Sequence, residues 1–161
     1  MNKINRKVEY ALIGLKHMRG KPPGELTTVK ELTLHYGCPF EMTSRVMQNL
    51  AQKGVLRSEQ GAYGGYQITK DLNRISFYDL MAMILGPMAV AKCMHSSELE
   101  SACEIRETCN IVSPVQTLSR RLAEFYRDLT VAELLDGRGG STGKNLKSSV
   151  VAEASMMAEP T

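Results

Sequence analysis

A chain of 161 residues, 43% hydrophobic, has room for one domain with its own core plus a tail, and its longest apolar run, around Leu80 to Leu85, falls far short of the roughly 20 residues that cross a bilayer. The opening stretch MNKINRKVEYALIGL is interrupted by Glu9 and has no signal-peptide layout, so a cytoplasmic protein with no membrane partner is expected, in which clustered cysteines favour metal or redox chemistry over structural disulfides. The net charge of +3 is unevenly spread: residues 1–70 carry eleven Lys/Arg against five Asp/Glu (+6) and residues 71–161 carry nine against twelve (−3), and a basic N-terminal half suits a polyanion.

Val8, Ala11, Leu12, Leu15 and Met18 recur at helical spacing, which predicts a first helix over residues 7–19, broken by KPPGE. Thr28 and Glu31 form a T-x-x-E capping box that opens a second helix to about His35. Tyr36-Gly37-Cys38 reads as a tight turn, with Cys38 as a small buried hydrophobe, and Pro39 suits the first position of a third helix that Gly54 ends. Phe40, Thr43, Met47 and Leu50 give that helix an expected buried stripe. The period then changes. Val55 to Ser58 and Tyr66 to Thr69 flank a glycine-rich turn and read as a β-hairpin.

Ser76 and Asp79 make another capping pattern, with Ile75 and Leu80 as its hydrophobic staple, for a fourth helix that Gly86-Pro87 closes. Beyond the cysteines, Ser113, Pro114 and Gln116 start a long fifth helix in which Val115, Leu118, Leu122, Phe125 and Leu129 alternate in steps of three and four, a coiled-coil-like seam. Thr130 and Glu133 cap a last short helix ending near Gly137, and the remainder has the composition of a disordered tail. The expected organisation is a head over 1–86, a cysteine-rich loop over 87–112, a helical segment over 113–136 and a tail over 137–161.

Two helices joined by a tight turn and followed by a hairpin make a winged helix-turn-helix, so the fold class is mainly α with a small β-hairpin. Its third helix is expected in the major groove of double-stranded DNA. Opposite its apolar stripe stand Glu41, Ser44, Arg45 and Gln48, with Met42 beside them; these can meet bases or phosphates. Thr28 at the start of the second helix, and Gln60, Tyr63 and Gly64 in the wing, complete the expected DNA-facing set. The wing's glycines permit close approach to a minor groove.

The stretch KCMHSSELESACEIRETCN, residues 92–110, holds three of the four cysteines. Thiolates suit iron–sulphur clusters and zinc, but structural zinc sites favour cysteine pairs two to four residues apart, and no such pair exists here. A thiol switch remains open. Cysteine catalysis is disfavoured because no base and orienting acid are arranged around a thiol, so no enzyme is expected.

The order of these elements, the wing GAYGGYQITKD followed by ISFYDLMAMI, the cysteines after that helix and the final long helix resemble the Rrf-two family of winged-helix transcription regulators, which includes the iron–sulphur regulator IscR and the nitric-oxide-responsive NsrR. The likeness runs from about Met1 to Asp136. It implies a homodimer joined through the long helix, acting on a palindromic operator, most often as a repressor. In cluster-bearing members it also implies an iron–sulphur cluster near the dimer interface, held here by Cys93, Cys103 and Cys109. Such a cluster is four-iron by preference, with a two-iron cluster as the alternative. The gap from Cys93 to Cys103 is longer than is usual in the family. The histidine some relatives place three residues after the last cysteine is replaced by Val112; other relatives borrow a carboxylate from the start of the partner's first helix, and the resemblance puts Glu9 of the partner subunit at that position as the first choice of fourth ligand, with His95 second. Gln60 stands where several relatives carry a basic wing residue.

Overall fold

The structure, a computed structural model, describes residues 4–61, 63–86 and 108–137. In chain order these form α1 (Arg6–Arg19), α2 (Val29–Tyr36), α3 (Phe40–Gln52), β1 (Leu56–Glu59), β2 (Gly65–Ile68), a 3₁₀ turn (Leu72–Arg74), α4 (Phe77–Leu85), α5 (Val112–Asp128) and α6 (Val131–Asp136). The fold is mainly helical with one two-stranded antiparallel sheet, a winged helix.

Local chemistry sets each boundary. The Asn5 side chain accepts from the Lys7 amide and starts α1. Thr28 caps α2 by accepting from the Glu31 amide. The reciprocal half of that expected capping box is missing, because the Glu31 carboxylate is taken by Lys21 Nζ at 2.7 Å and His17 Nε2 at 2.7 Å. Gly37 ends α2 in the left-handed conformation, φ 67°, which lets the chain turn sharply into α3. Pro39 is the residue before α3 rather than its first. Both later capping boxes form in full, Ser76 with Asp79 and Thr130 with Glu133.

The core gathers Val8, Ala11 and Leu15 of α1, Leu32 of α2, Val46, Met47 and Leu50 of α3, Val55, Phe77 and Leu80, with Val131 and Leu135 of α6. Burying a side chain of this size is worth about 1.5–3 kcal/mol each, so α1, α3 and α4 form the frame on which the other elements are hung. Thr43 and Thr27 are buried with them. Phe40 departs from its expected place in the α3 stripe: it is 55% exposed. Cys38 is buried as expected, and burial pushes its thiol pKa up, which keeps it protonated.

The hairpin registers as Leu56↔Ile68 to Glu59↔Gly65, one residue off the expected strand ends. Thr27 adds a backbone bridge to Tyr66, with both N–H···O bonds at 2.9 Å, and so pins the wing to the loop before α2. At the other end Ser76 and Thr130 form an antiparallel bridge, with Phe77 N–H donating to Leu129 O at 2.7 Å and Val131 N–H to Ile75 O at 2.9 Å. These bonds clamp the α5–α6 junction to the start of α4. Arg19 closes the other flank on α6, pairing with Asp136 at 2.9 Å.

Candidate nucleic-acid interface and cysteine segment

Helical periodicity divides the surface of α3 into four strips. Thr43, Val46, Met47 and Leu50 point into the core. Glu41, Arg45 and Gln48 stand opposite and are exposed, with Ser44 half-buried at their edge. One flank carries Phe40 and looks toward α2 and the wing; the other carries Met42 and Asn49 and looks toward α1 and α4. The outward polar ridge thus matches the sequence reading. The aromatic on its flank was missed.

Between that ridge and the wing runs an open groove of about 560 Å³, lined on one side by Thr28, Val29 and Lys30 and on the other by Phe40 and Gln48, and floored by the wing from Ser58 to Gln60 and at Gly64 and Gly65. Thr28 and Lys30 are exposed at the N-terminus of α2, where free amides and the helix dipole favour an anion. Because the Thr28 oxygen accepts from the Glu31 amide, its hydroxyl hydrogen is the part left to point at an acceptor. Lys30 was not singled out by its sequence context.

In the wing, Gln60 is exposed and Tyr63 is 95% exposed at the tip. Gly64 and Gly65 serve a purpose beyond the expected approach to a groove. A Cβ on Gly64 would lie 2.3 Å from the Glu59 carbonyl oxygen, and one on Gly65 would lie 2.9 Å from the Thr27 carbonyl oxygen. Both glycines are needed for the wing to close on itself and on the strand-like segment at Thr27. Arg57 pairs with Glu59 along β1, so its charge is partly neutralised.

A second, smaller hollow of about 180 Å³ lies on the other flank of α3, lined by Lys7 of α1, Met42, Arg45, Val46 and Asn49 of α3, and Ile84 of α4. It brings the polar ridge of α3, the start of α1 and the end of α4 to one place. The cysteine segment begins just beyond that end of α4.

Of the four expected cluster ligands two are described. Cys109 is a free, half-buried thiol three residues before α5. Glu9 is half-exposed in the first turn of α1, and Arg6, itself well exposed, donates to it at 2.8 Å; a surface pair of this kind is weak and leaves the carboxylate open to exchange. Cys93, Cys103 and His95 lie outside the described residues. Among the described residues no three His, Cys, Asp or Glu side chains gather as a metal site.

After Cys109, α5 presents an amphipathic surface with none of its residues buried. Ile111, Leu118 and Phe125 are 56%, 50% and 61% exposed. Its inner side meets α4 through Tyr126, edge-on to Phe77 at 5.5 Å between centroids, and through Arg127, 4.1 Å over the Tyr78 ring. The outer apolar seam has no cover within the described residues. No described helix is long and apolar enough to cross a membrane.

A second polar cluster lies behind the interface. His17 of α1 joins Tyr36 Oη at 2.9 Å through Nδ1 and Glu31 through Nε2, while Lys21 bonds Glu31, Glu25 and the Leu26 carbonyl. Burial alone would raise the Glu31 carboxyl; hydrogen bonds from Lys21 and His17 outweigh it and hold the pKa below the ordinary value. Burial would likewise lower Lys21, and its bonds to Glu31 and Glu25 hold it raised. The cluster locks α2, and hence the entry to α3, onto α1.

Solved structures show the same fold. B. subtilis CymR, described as the global cysteine regulator of that organism, superposes with a TM-score of 0.63 at 19% identity, over 85% of this chain and 98% of its own. A transcriptional regulator from Listeria innocua gives 0.62 at 20% identity, over 89% and 92%. IscR from T. potens gives 0.57 at 18% identity, over 85% and 88%. The family described as Rrf2, iron-dependent transcriptional regulator, matches residues 4–137. The chain belongs to the Rrf2 family of DNA-binding transcriptional regulators.

Proposed function

We propose that the protein is a homodimeric, iron–sulphur-cluster-responsive regulator that binds a palindromic operator through α3 and the wing, and represses in its cluster-bound state. The observation that carries this reading is the order along the chain of a half-buried free thiol, Cys109, followed directly by α5, whose apolar seam has no cover among the described residues. On this reading Cys109 would be a ligand at the root of the surface that a second copy would cover. Dimers of winged helices bind half-sites about one helical turn apart, so whatever sets the angle between copies sets operator affinity.

The proposed ligands are Cys93, Cys103 and Cys109 with Glu9 of the other copy. Three soft thiolates and one weaker carboxylate suit a labile cluster, four-iron by preference. When bound, such a group cross-links its thiolates and is sensitive to iron supply, nitric oxide and oxidants. The protein's own residues supply the rest of the device. Phe77–Tyr126, Arg127–Tyr78 and the Ser76–Thr130 bridge make α4 and α5 one body. Ile84 at the end of α4 lines the same hollow as Lys7 and Arg45, so a shift at the cysteine segment would change the space beside Arg45.

On DNA, Arg45, Thr28 and Lys30 would engage phosphates or guanines, Glu41, Ser44, Gln48 and Met42 the base edges, and Gln60, Tyr63 and Gly64 the adjacent minor groove. The test of the ligand set is iron content in anaerobically purified Cys109→Ser and Glu9→Ala proteins. Cys109→Ser is expected to lose most iron, and Glu9→Ala to keep a shorter-lived or spectroscopically altered cluster. Unchanged spectra and lifetime would remove Glu9 from the set.

One observation favours a second reading, a cluster-free thiol-switched or partner-controlled regulator: the fold matches CymR at least as well as it matches IscR. Operator affinity indifferent to nitric oxide and chelators, in colourless protein, would favour it.

A further inference from the structure

The geometry points to Phe40 as a specificity-determining residue that packs on the 5-methyl group of a thymine in each half-site. Phe40 is the first residue of α3, the helix proposed above to enter the major groove, and it is 55% exposed although its neighbours on the same helix, Thr43 and Met47, are fully buried. Its ring is not on the polar ridge. It lines the wall of the groove that Thr28, Lys30 and Gln48 share, so its exposed part faces the space that a duplex seated on these residues would fill.

Among the major-groove edges only thymine presents an apolar group, and phenylalanine is one of the few side chains that read it. An exposed aromatic gains by desolvation when such a methyl covers it. The surrounding Thr28, Lys30 and Gln48 offer donors to phosphates and bases. The groove therefore combines positioning contacts with one apolar contact, the composition expected of a base-reading surface rather than of a protein-docking patch. Ser44 and Gln48 follow Phe40 one and two turns further on, shifting step by step from its flank onto the outward ridge, so the methyl reader and hydrogen-bonding readers run along one helix edge.

This inference deepens the DNA-binding reading and rests on it. The experiment is a thymine-to-deoxyuridine scan, which removes single methyl groups, on a duplex enriched from a random pool with the full chain. Wild-type protein should lose about four-fold in affinity at one symmetric position per half-site, the worth of roughly one buried methyl. Phe40→Ala should bind the thymine duplex more weakly and show a thymine-to-uracil ratio near one at that position, and Phe40→Leu should fall between. Thermal melts of both variants guard against misfolding, and the scan on wild-type protein needs no variant. Absence of any uracil-sensitive position, or a Phe40→Ala protein as sensitive as wild type, overturns the assignment. Failure to enrich any duplex overturns the DNA-binding reading instead.

Discussion

Gly64→Ala probes the wing's closure while leaving the side chains of Gln60 and Tyr63 in place; because Gly64 itself is expected to face the minor groove, the amide-exchange readout isolates the backbone effect from any loss of contact. The new Cβ would sit 2.3 Å from the Glu59 carbonyl oxygen and 3.1 Å from the Gly61 oxygen, whereas real Cβ contacts essentially never fall below 3.0 Å, so the backbone must move by at least the 0.7 Å difference. The obstacle is main chain at the last ladder pair, Glu59↔Gly65, and it cannot rotate away as a side chain would. Relief opens the turn and loosens the Gly64 N–H bond to Gly61 O at 3.0 Å, at an expected cost of about 1–3 kcal/mol. A hairpin with four residues in each strand is marginal alone, so this cost should appear as local opening rather than global unfolding. Amide exchange at Gly64 and Tyr66 should quicken by roughly 5- to 150-fold, with the melting transition of the α1–α3–α4 core nearly unchanged. Operator affinity should fall by about ten-fold, or ~1.4 kcal/mol, as the wing loses its aim. Wild-type exchange together with wild-type affinity would show that the wing tolerates a Cβ here and refute the reasoning.

Three other outcomes follow from the same structure. Leu118→Glu with Phe125→Glu places charges on the exposed seam of α5, and sedimentation should show a monomer with intact helical circular dichroism; a persisting dimer would move the interface elsewhere. Arg45→Ala should weaken duplex binding across sequences and lower the log–log salt slope by about one if the guanidinium meets a phosphate. An unchanged slope and affinity would remove it from the interface. Glu31→Gln should cost about 1–3 kcal/mol in denaturant titrations at neutral pH, because Lys21 and His17 lose a half-buried carboxylate. The folded Glu31 pKa is lowered, so its contribution is fully present above the ordinary carboxylate range and is lost as pH falls through the lower folded value; a difference from wild type that persists at strongly acid pH would contradict this.

The parts legible in the sequence are those written in repeated spacing or paired caps. The stripe Val8, Ala11, Leu15 and Met18 placed α1, and the boxes at Ser76/Asp79 and Thr130/Glu133 placed α4 and α6, because several residues in each case obey one period or one reciprocal bond. Phe40 was misassigned because it stands three residues before Thr43 and so fits the apolar period. The core of α3 is in fact centred on Thr43, Val46, Met47 and Leu50, and at its first turn the space beside Phe40 is left open between α2 and the wing. Spacing along one helix carries no information about where its neighbours stop.

The Thr27–Tyr66 and Ser76–Thr130 bridges were invisible for a related reason: a single paired residue has no period, and its partner is fixed only by tertiary packing. The half-formed box at Thr28 shows a tertiary contact overriding a local motif, since Glu31 finds a stronger cationic partner in Lys21 than in the Thr28 amide. The outward ridge of Glu41, Arg45 and Gln48 was legible because exposure is the complement of the buried stripe. The cysteines stood out by their clustering in the sequence, of which the described residues include Cys109.

The most direct test of the central claim is operator affinity measured anaerobically on protein as purified, with iron and acid-labile sulphide quantified in the same sample, before and after stoichiometric nitric oxide. Coloured protein with matching iron and sulphide, whose affinity drops by ten-fold or more on exposure, is the result predicted. Colourless protein carrying only zinc, or an affinity that nitric oxide leaves unchanged, would contradict it.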